Sequence, residues 1–158
     1  MTVMTIEELD ASLKRNERLL GLDLGTRTIG LALSDVMCSV ATPLETISRT
    51  KFTADAARLV TVIEEHGVGG LVIGLPISMD GTEGPRCQST RQFATNFLEK
   101  REIPILFWDE RLSTTAVEKM LIREADMTRK RRAQVIDRAA AAYILQGALD
   151  ALGHRRSP

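Results

Sequence analysis

Histidine, cysteine and aromatic residues are scarce in this 158-residue chain, and each scarcity argues against a class of function. The two histidines, His66 and His154, and the two cysteines, Cys38 and Cys87, form neither a His-x-x-x-His nor a Cys-x-x-Cys pair, so no zinc centre or dithiol motif is indicated. Both cysteines read as reduced thiols, and both histidines as surface residues. No apolar signal segment is present, and the longest apolar runs are strand-sized, far short of the roughly 20 residues that span a bilayer. A cytoplasmic protein with no membrane partner is expected. Aromatics make up only 4% of residues, which argues against base stacking on single strands as the main mode of recognition. Charge of either sign is not in excess: 21 basic side chains balance 21 acidic ones, so any polyanion site has to be local.

What is present suffices for one domain, which at this length buries roughly 70% of the surface of the unfolded chain. Residues 1–18 are polar with helical spacing at Ile6, Leu9 and Leu13 and a capping box of Thr5 with Glu8, and read as an N-terminal helical extension. A single domain over 19–158 follows. Strands are expected over 19–24, 29–34 and 41–47, then a helix over 53–65 stopped by His66-Gly67. The continuously apolar run 71–75 reads as a strand covered on both faces, followed by a turn-rich loop over 76–85 and a helix over about 86–100. A strand over 105–108 delivers Asp109, Glu110 and Arg111 at its end. A capping box of Thr115 with Glu118 predicts another helix, and after a basic loop the last helix is expected from about 135 to 152. This order predicts an α/β fold with a mixed five-stranded sheet, a three-stranded antiparallel meander plus two parallel strands, flanked by helices.

Three acids stand where composition alone would not place them. Asp23 interrupts an apolar strand, where a carboxylate is costly to desolvate without a cation or donors to meet it. Glu110 ends a buried strand on the carboxyl side of the sheet, where ligands collect in α/β folds. Asp137 falls in the expected first turn of the Ala-rich last helix. Each has a plainer reading: Asp23 bonded to the Gly25-Thr26 turn, Glu110 paired with Arg111, Asp137 complementing the helix dipole or Arg138. Together, convergent carboxylates repel and persist at neutral pH by protonating or by holding cations. Hard divalent ions take oxygen ligands, and a pair of them about 4 Å apart supports phosphodiester cleavage. The acids therefore point to a nuclease that uses Mg²⁺ or Mn²⁺, two ions in the presence of substrate.

Four ordered motifs carry a resemblance: Gly21-Leu22-Asp23-Leu24-Gly25-Thr26; Gly74-Leu75-Pro76 followed by Met79-Asp80-Gly81; Asp109-Glu110-Arg111-Leu112-Ser113-Thr114; and Asp137-Arg138-Ala139-Ala140. In order and spacing they resemble the YqgF/RuvX family over about residues 19–152. The resemblance implies an RNase H-like fold related to Holliday-junction resolvases and a nuclease role in maturing the 5′ end of the small-subunit ribosomal RNA precursor. It also implies Asp23, Glu110 and Asp137 as catalytic, metal-holding acids. Arg27 stands where the family often has Lys, keeping the charge with a different hydrogen-bond geometry.

Substrate contacts are expected from Thr26 and Arg27, from Arg111, which either clamps a phosphate or holds a carboxylate, and from Arg129, Lys130, Arg131 and Arg132, just ahead of Asp137. The expected partners are structured RNA, pre-rRNA above all, or branched DNA, with the ribosomal particle as a possible setting and a monomer or homodimer as the working unit. Two other readings compete. Asp-x-Gly-Thr followed by Gly30 also resembles the phosphate loop of sugar kinases, actin and Hsp70-type ATPases, which close two such domains over ATP where this chain has residues for one. A non-catalytic nucleic-acid-binding assembly factor would need only the basic run.

Overall fold

A computed structural model of the chain describes the backbone of residues 3–112 and 129–156 and the side chains of 3–111 and 139–155. After α1 (Ile6–Ser12) come β1 (Arg18–Leu24), β2 (Thr28–Ser34), β3 (Ala41–Ser48), α2 (Phe52–His66), β4 (Val68–Leu75), α3 (Pro85–Lys100) and β5 (Ile105–Asp109). A 3-10 turn (Glu110–Leu112) and α4 (Arg129–Arg156) complete the described elements. The strands form one sheet in the order β3-β2-β1-β4-β5. β1, β2 and β3 pair antiparallel, while β4 runs parallel to both β1 and β5, giving the expected meander plus two parallel strands.

Both faces of the sheet are covered, which is why β1 and β4 are apolar along most of their length. Leu20, Leu22, Leu71, Ile73 and Ile105 point into a core with α2 and α3, where Phe93 and Phe97 lie. On the opposite face Leu19, Val72 and Leu106 meet Ala141, Ile144, Leu145 and Ala148 of α4 and Leu9 of α1. The capping box of Thr5 and Glu8 is present, and Leu9 is fully buried. Small residues bring α4 close: a Cβ on Gly21 would stand 2.7 Å from Leu145 Cβ and 2.9 Å from the Ala141 carbonyl oxygen. α2 ends where expected, on Gly67 in the left-handed region at φ 63°.

Two expectations at the C-terminal end are corrected. Helix α4 begins at Arg129, not near Val135, so Arg129, Lys130, Arg131 and Arg132 are helical rather than a loop. Asp137 consequently lies beyond the first two turns, where complementing the helix dipole no longer accounts for it. Arg, Lys, Gln and Ala are all strong helix formers, and nothing in Arg129-Lys130-Arg131-Arg132-Ala133-Gln134 breaks a helix. The helix expected from the Thr115 and Glu118 capping box lies outside the described residues.

The β2–β3 connection carries a local clamp. Asp35 accepts from the Ser39 N–H (2.7 Å), the Ser39 hydroxyl (2.7 Å) and the Val40 N–H (3.0 Å). Partial burial works against its charge, but the Ser39 and Val40 donors outweigh it and hold the carboxyl at about 2. A folded value below the unfolded one stabilises fully above about pH 4, and the gain is lost as pH falls through 2. Asp35→Ala is expected to cost about 1–2 kcal/mol at neutral pH. Urea midpoints of variant and wild type should converge as the pH is lowered from 4 to 2.

Candidate active site

The end of the sheet where the parallel strands β1 and β4 terminate gathers the unusual acids. Side chains alternate along β1, so with Leu20 and Leu22 in the α2/α3 core, Gly21 and Asp23 belong to the α4 face. Asp23 pairs across the antiparallel ladder with Gly30. On its other side Leu22 pairs with Ile73, and the next step of that register sets Gly74 beside Asp23. Two glycines therefore flank Asp23, one on each neighbouring strand.

Glu110 reaches the same place from β5. Gly74 pairs with Trp108 and Leu75 with Asp109, so the 3-10 turn starts level with the end of β4. A Cβ on Gly74 would lie 2.6 Å from Glu110 Oε1 and 2.9 Å from its Cγ. The Glu110 side chain thus occupies the space that Gly74 leaves open, with Ile144 of α4 against it. Adjacent strands are about 4.8 Å apart, so Asp23 on β1 and Glu110 at the end of β5 approach Gly74 of β4 from its two sides, on strands about 9.6 Å apart.

Among the described cations, Arg111 stands next to Glu110 in the chain. Arg111 grips its neighbour Asp109, not Glu110: Nη2 donates to Oδ2 at 2.6 Å, and Nε lies 2.9 and 3.1 Å from the two carboxylate oxygens. This contact holds the Asp109 carboxyl below the ordinary range. Arg111 Nη1 also borders Gly81, linking the end of β5 to the 76–84 loop. In that loop Asp80 accepts from the Thr82 hydroxyl and N–H, an ordinary Asx turn with Gly81 at φ 89°. Trp108 packs half-buried on Gly147 of α4, in the role expected of a strand core residue.

Thr26 and Arg27 sit exposed at the tip of the β1–β2 hairpin, which the Gly25 N–H closes by donating to the Thr28 carbonyl at 2.9 Å. Both border the acids along the chain, and Thr26 lines a cavity on the other face of the sheet. Asp137 and the basic run have described backbone only, in α4. Among the described residues no group of three acidic, His or Cys side chains has the spacing of a metal centre. Two oxygen donors, Asp23 and Glu110, around a glycine-lined gap are a donor set suited to a hard cation and unsuited to a soft one.

Two features escaped the sequence reading. The glycines opposite Asp23 are one, and alternation within β1, β2 and β4 contained that signal. The other is a cavity on the α2/α3 side of the hairpin, lined by Arg49 and Arg86, which no motif flagged.

A family model described as "RuvX: Holliday junction resolvase" matches residues 17–151. A protein of Paramagnetospirillum magneticum with the provisional designation of pre-16S rRNA nuclease is 63% identical over 150 residues, covering 95% of this chain and 96% of its own. One from Rhodospirillum rubrum with the same designation is 57% identical over 156 residues, covering 99% and 97%. Among solved structures, T. thermophilus RuvC in complex with Holliday junction substrate superposes with a TM-score of 0.53 at 14% identity, covering 87% of this chain and 96% of that one. The fowlpox virus Holliday junction resolvase gives 0.52 at 10% identity, covering 85% and 99%. At those identities the likeness is one of fold, the RNase H-like fold of the resolvases. No helix among the described residues is long and apolar enough to cross a membrane.

Proposed function

Because the chain belongs to the RuvX Holliday junction resolvase family, we propose that it is a divalent-metal-dependent endonuclease that cleaves phosphodiester bonds in structured nucleic acid, with the small-subunit rRNA precursor as its substrate. The observation that carries this reading is the meeting of Asp23 and Glu110 across the gap left by Gly74. The relatives' designation favours RNA over branched DNA.

Asp23, Glu110 and Asp137 are the residues that would hold Mg²⁺ or Mn²⁺. When bound, such ions supply positive charge that lowers the pKa of an attacking water and neutralises the leaving oxygen. Asp23 is fixed by its place in the middle of the sheet, and Glu110 by the Gly74 cradle and the Ile144 side chain. Neither has to reorganise as charge develops on the phosphate. Support for Asp137 as the third acid comes from the run of α4. Gly21 faces Ala141 and Leu145, and Gly74 faces Ile144. At the other end Gly70 meets Leu9 of α1, whose Asp10 pairs with Arg155. Helix and strand therefore run antiparallel. Asp23 lies two residues beyond Gly21, about 6.6 Å, and position 137 lies four residues before Ala141, about 6.0 Å, so the two are level.

Substrate backbone is held on either side of these acids. Arg129, Lys130, Arg131 and Arg132 precede Asp137 by about two helical turns and supply phosphate contacts that position without reading sequence. Thr26 and Arg27 serve the hairpin side, and Arg111, tethered to Asp109, offers Nη1 toward the 76–84 loop. The working unit is a cytoplasmic monomer or homodimer acting on RNA free or within the ribosomal particle, with Cys38 and Cys87 as buried thiols.

The test is Mn²⁺-dependent cleavage of an end-labelled precursor small-subunit RNA, with a four-way DNA junction in parallel. Site-specific cutting of the RNA, abolished by EDTA, is expected. Cutting of the junction alone would reassign the substrate class, and tight binding without cleavage of either would leave a non-catalytic assembly factor.

A further inference from the structure

A cavity of about 440 Å³ opens on the α2/α3 side of the β1–β2 hairpin, on the sheet face opposite the acids. Arg49, Arg86, Thr26, Thr50 and Ser89 line it above Phe93, and no carboxylate does among the described residues. Of its lining residues, Thr50 contacts an acid: the buried Asp55, whose Oδ1 accepts the Thr50 N–H at 3.2 Å.

Like Arg15, Arg18 and Arg27, the two arginines form no ion pair with a described acid; what sets them apart is that they line one cavity. Arg58, Arg91, Arg101, Arg111 and Arg155 each contact a carboxylate. Neither Arg49 nor Arg86 has such a partner among the described residues, although the chain has as many acids as bases. Arg49 is nevertheless fixed: its Nη1 donates to the Gly25 carbonyl at 2.6 Å, and its guanidinium lies 5.6 Å from the centre of the Phe93 ring. Its remaining N–H groups are left for a ligand. Arg86 stands in the first turn of α3, whose cap residue Gly84 supplies no side-chain hydrogen bond, so the helix dipole adds to the positive field. The cavity runs on into a second of about 480 Å³ that shares Arg49, Ser89 and Phe93 and continues along Gln88, Gln92 and Asn96 of α3. That groove is uncharged beyond Arg49 and rich in amide donors and acceptors.

We propose that this cavity is a phosphate-binding subsite for the substrate's own backbone, which passes from the acids around the hairpin tip, with the adjoining nucleotide lying in the amide-lined groove of α3. The subsite rests on the nuclease reading for its occupant, since a nucleic-acid strand is what would join the two faces. From Asp23 to Gly25-Thr26 the chain advances about 7–10 Å. Against a rise of about 3.4 Å per charge on each strand, that is two to three nucleotides from the scissile phosphate. Fixed guanidinium groups suit such a contact because their planar forks match phosphate oxygens.

Inorganic phosphate titrated into the ¹⁵N-labelled protein is expected to shift the Gly25, Thr26 and Ser89 amides saturably, and less so in Arg86→Gln and in the Arg49→Gln/Arg86→Gln double variant. Arg86 is exposed and makes no described side-chain contact, so the single variant keeps the test valid if loss of the Arg49 bond to Gly25 disturbs the hairpin. In an Asp23→Asn background, a fluorescent RNA hairpin with a single-stranded flank should bind the double variant about tenfold more weakly, with a log–log salt slope smaller by about 1.4 for two lost contacts. Cleavage enters neither readout, so failure of the nuclease reading leaves both intact. Amides unmoved by phosphate, or RNA affinity and salt slope equal to those of the Asp23→Asn parent, would overturn the subsite alone.

Discussion

Asp23→Asn is expected to lower the cleavage rate by at least about a thousandfold, or about 4 kcal/mol of transition-state stabilisation, while the fold and the affinity for RNA persist. The substitution keeps the shape of the side chain and exchanges a charged oxygen for an amide, so the strand has no reason to move. On the proposed metal-dependent mechanism it removes one of the carboxylate oxygens that would hold a hard cation, at a position flanked by Gly30 and Gly74. With the shape of the side chain kept, the melting temperature should stay close to the wild-type value. If RNA is held by the proposed arginine and lysine contacts outside the acid cluster, its affinity should change by less than about threefold in EDTA. Wild-type cleavage in the variant would remove Asp23 from the chemistry. A fall in cleavage matched by a fall in melting temperature would mean that Asp23 holds the strand rather than the reaction.

The sequence disclosed the sheet because a strand covered on both faces has to be apolar throughout, and a carboxylate within it is conspicuous for the same reason. Asp23 and Glu110 were visible individually; their meeting at Gly74 depends on a register that no local pattern specifies. Apolar spacing dated the start of the last helix from Val135, since Arg129-Lys130-Arg131-Arg132 has no apolar face to mark it, yet intrinsic propensity carries the helix through the run. Arg111 illustrates another limit. Sequence adjacency allowed it either Asp109 or Glu110, and the turn that swings Glu110 toward Gly74 leaves Asp109 as its partner. Arg49 and Arg86 were illegible as a pair because the end of β3 and the start of α3 become neighbours only when the hairpin folds between them.

The Gly74 cradle yields the second large effect. A methyl group at this position would fall 2.6 Å from Glu110 Oε1 and 2.5 Å from Ile144 Cδ1, closer than real contacts allow, so both side chains must move. Those atoms are the ends of flexible chains, and the backbone need not shift. Gly74→Ala should therefore fold, at a cost of about 1–3 kcal/mol for the overpacked contact. Displacing a catalytic carboxylate by about 1 Å costs about a hundredfold in rate, which is the loss expected here. Gly70→Ala is the matched control, since its Cβ would press on Leu19 Cδ2 and Leu9 Cδ1, each at 2.9 Å, on the same strand and the same face but at the far end. Its overpacking should destabilise comparably while folded molecules cleave as the wild type does. Melting temperatures and single-turnover cleavage rates of the two variants separate the effects. Equal rates in Gly70→Ala and Gly74→Ala would show that the position of Glu110 does not govern catalysis, whereas a slow Gly74→Ala beside a fast Gly70→Ala ties the reaction to the carboxylate that the glycine admits.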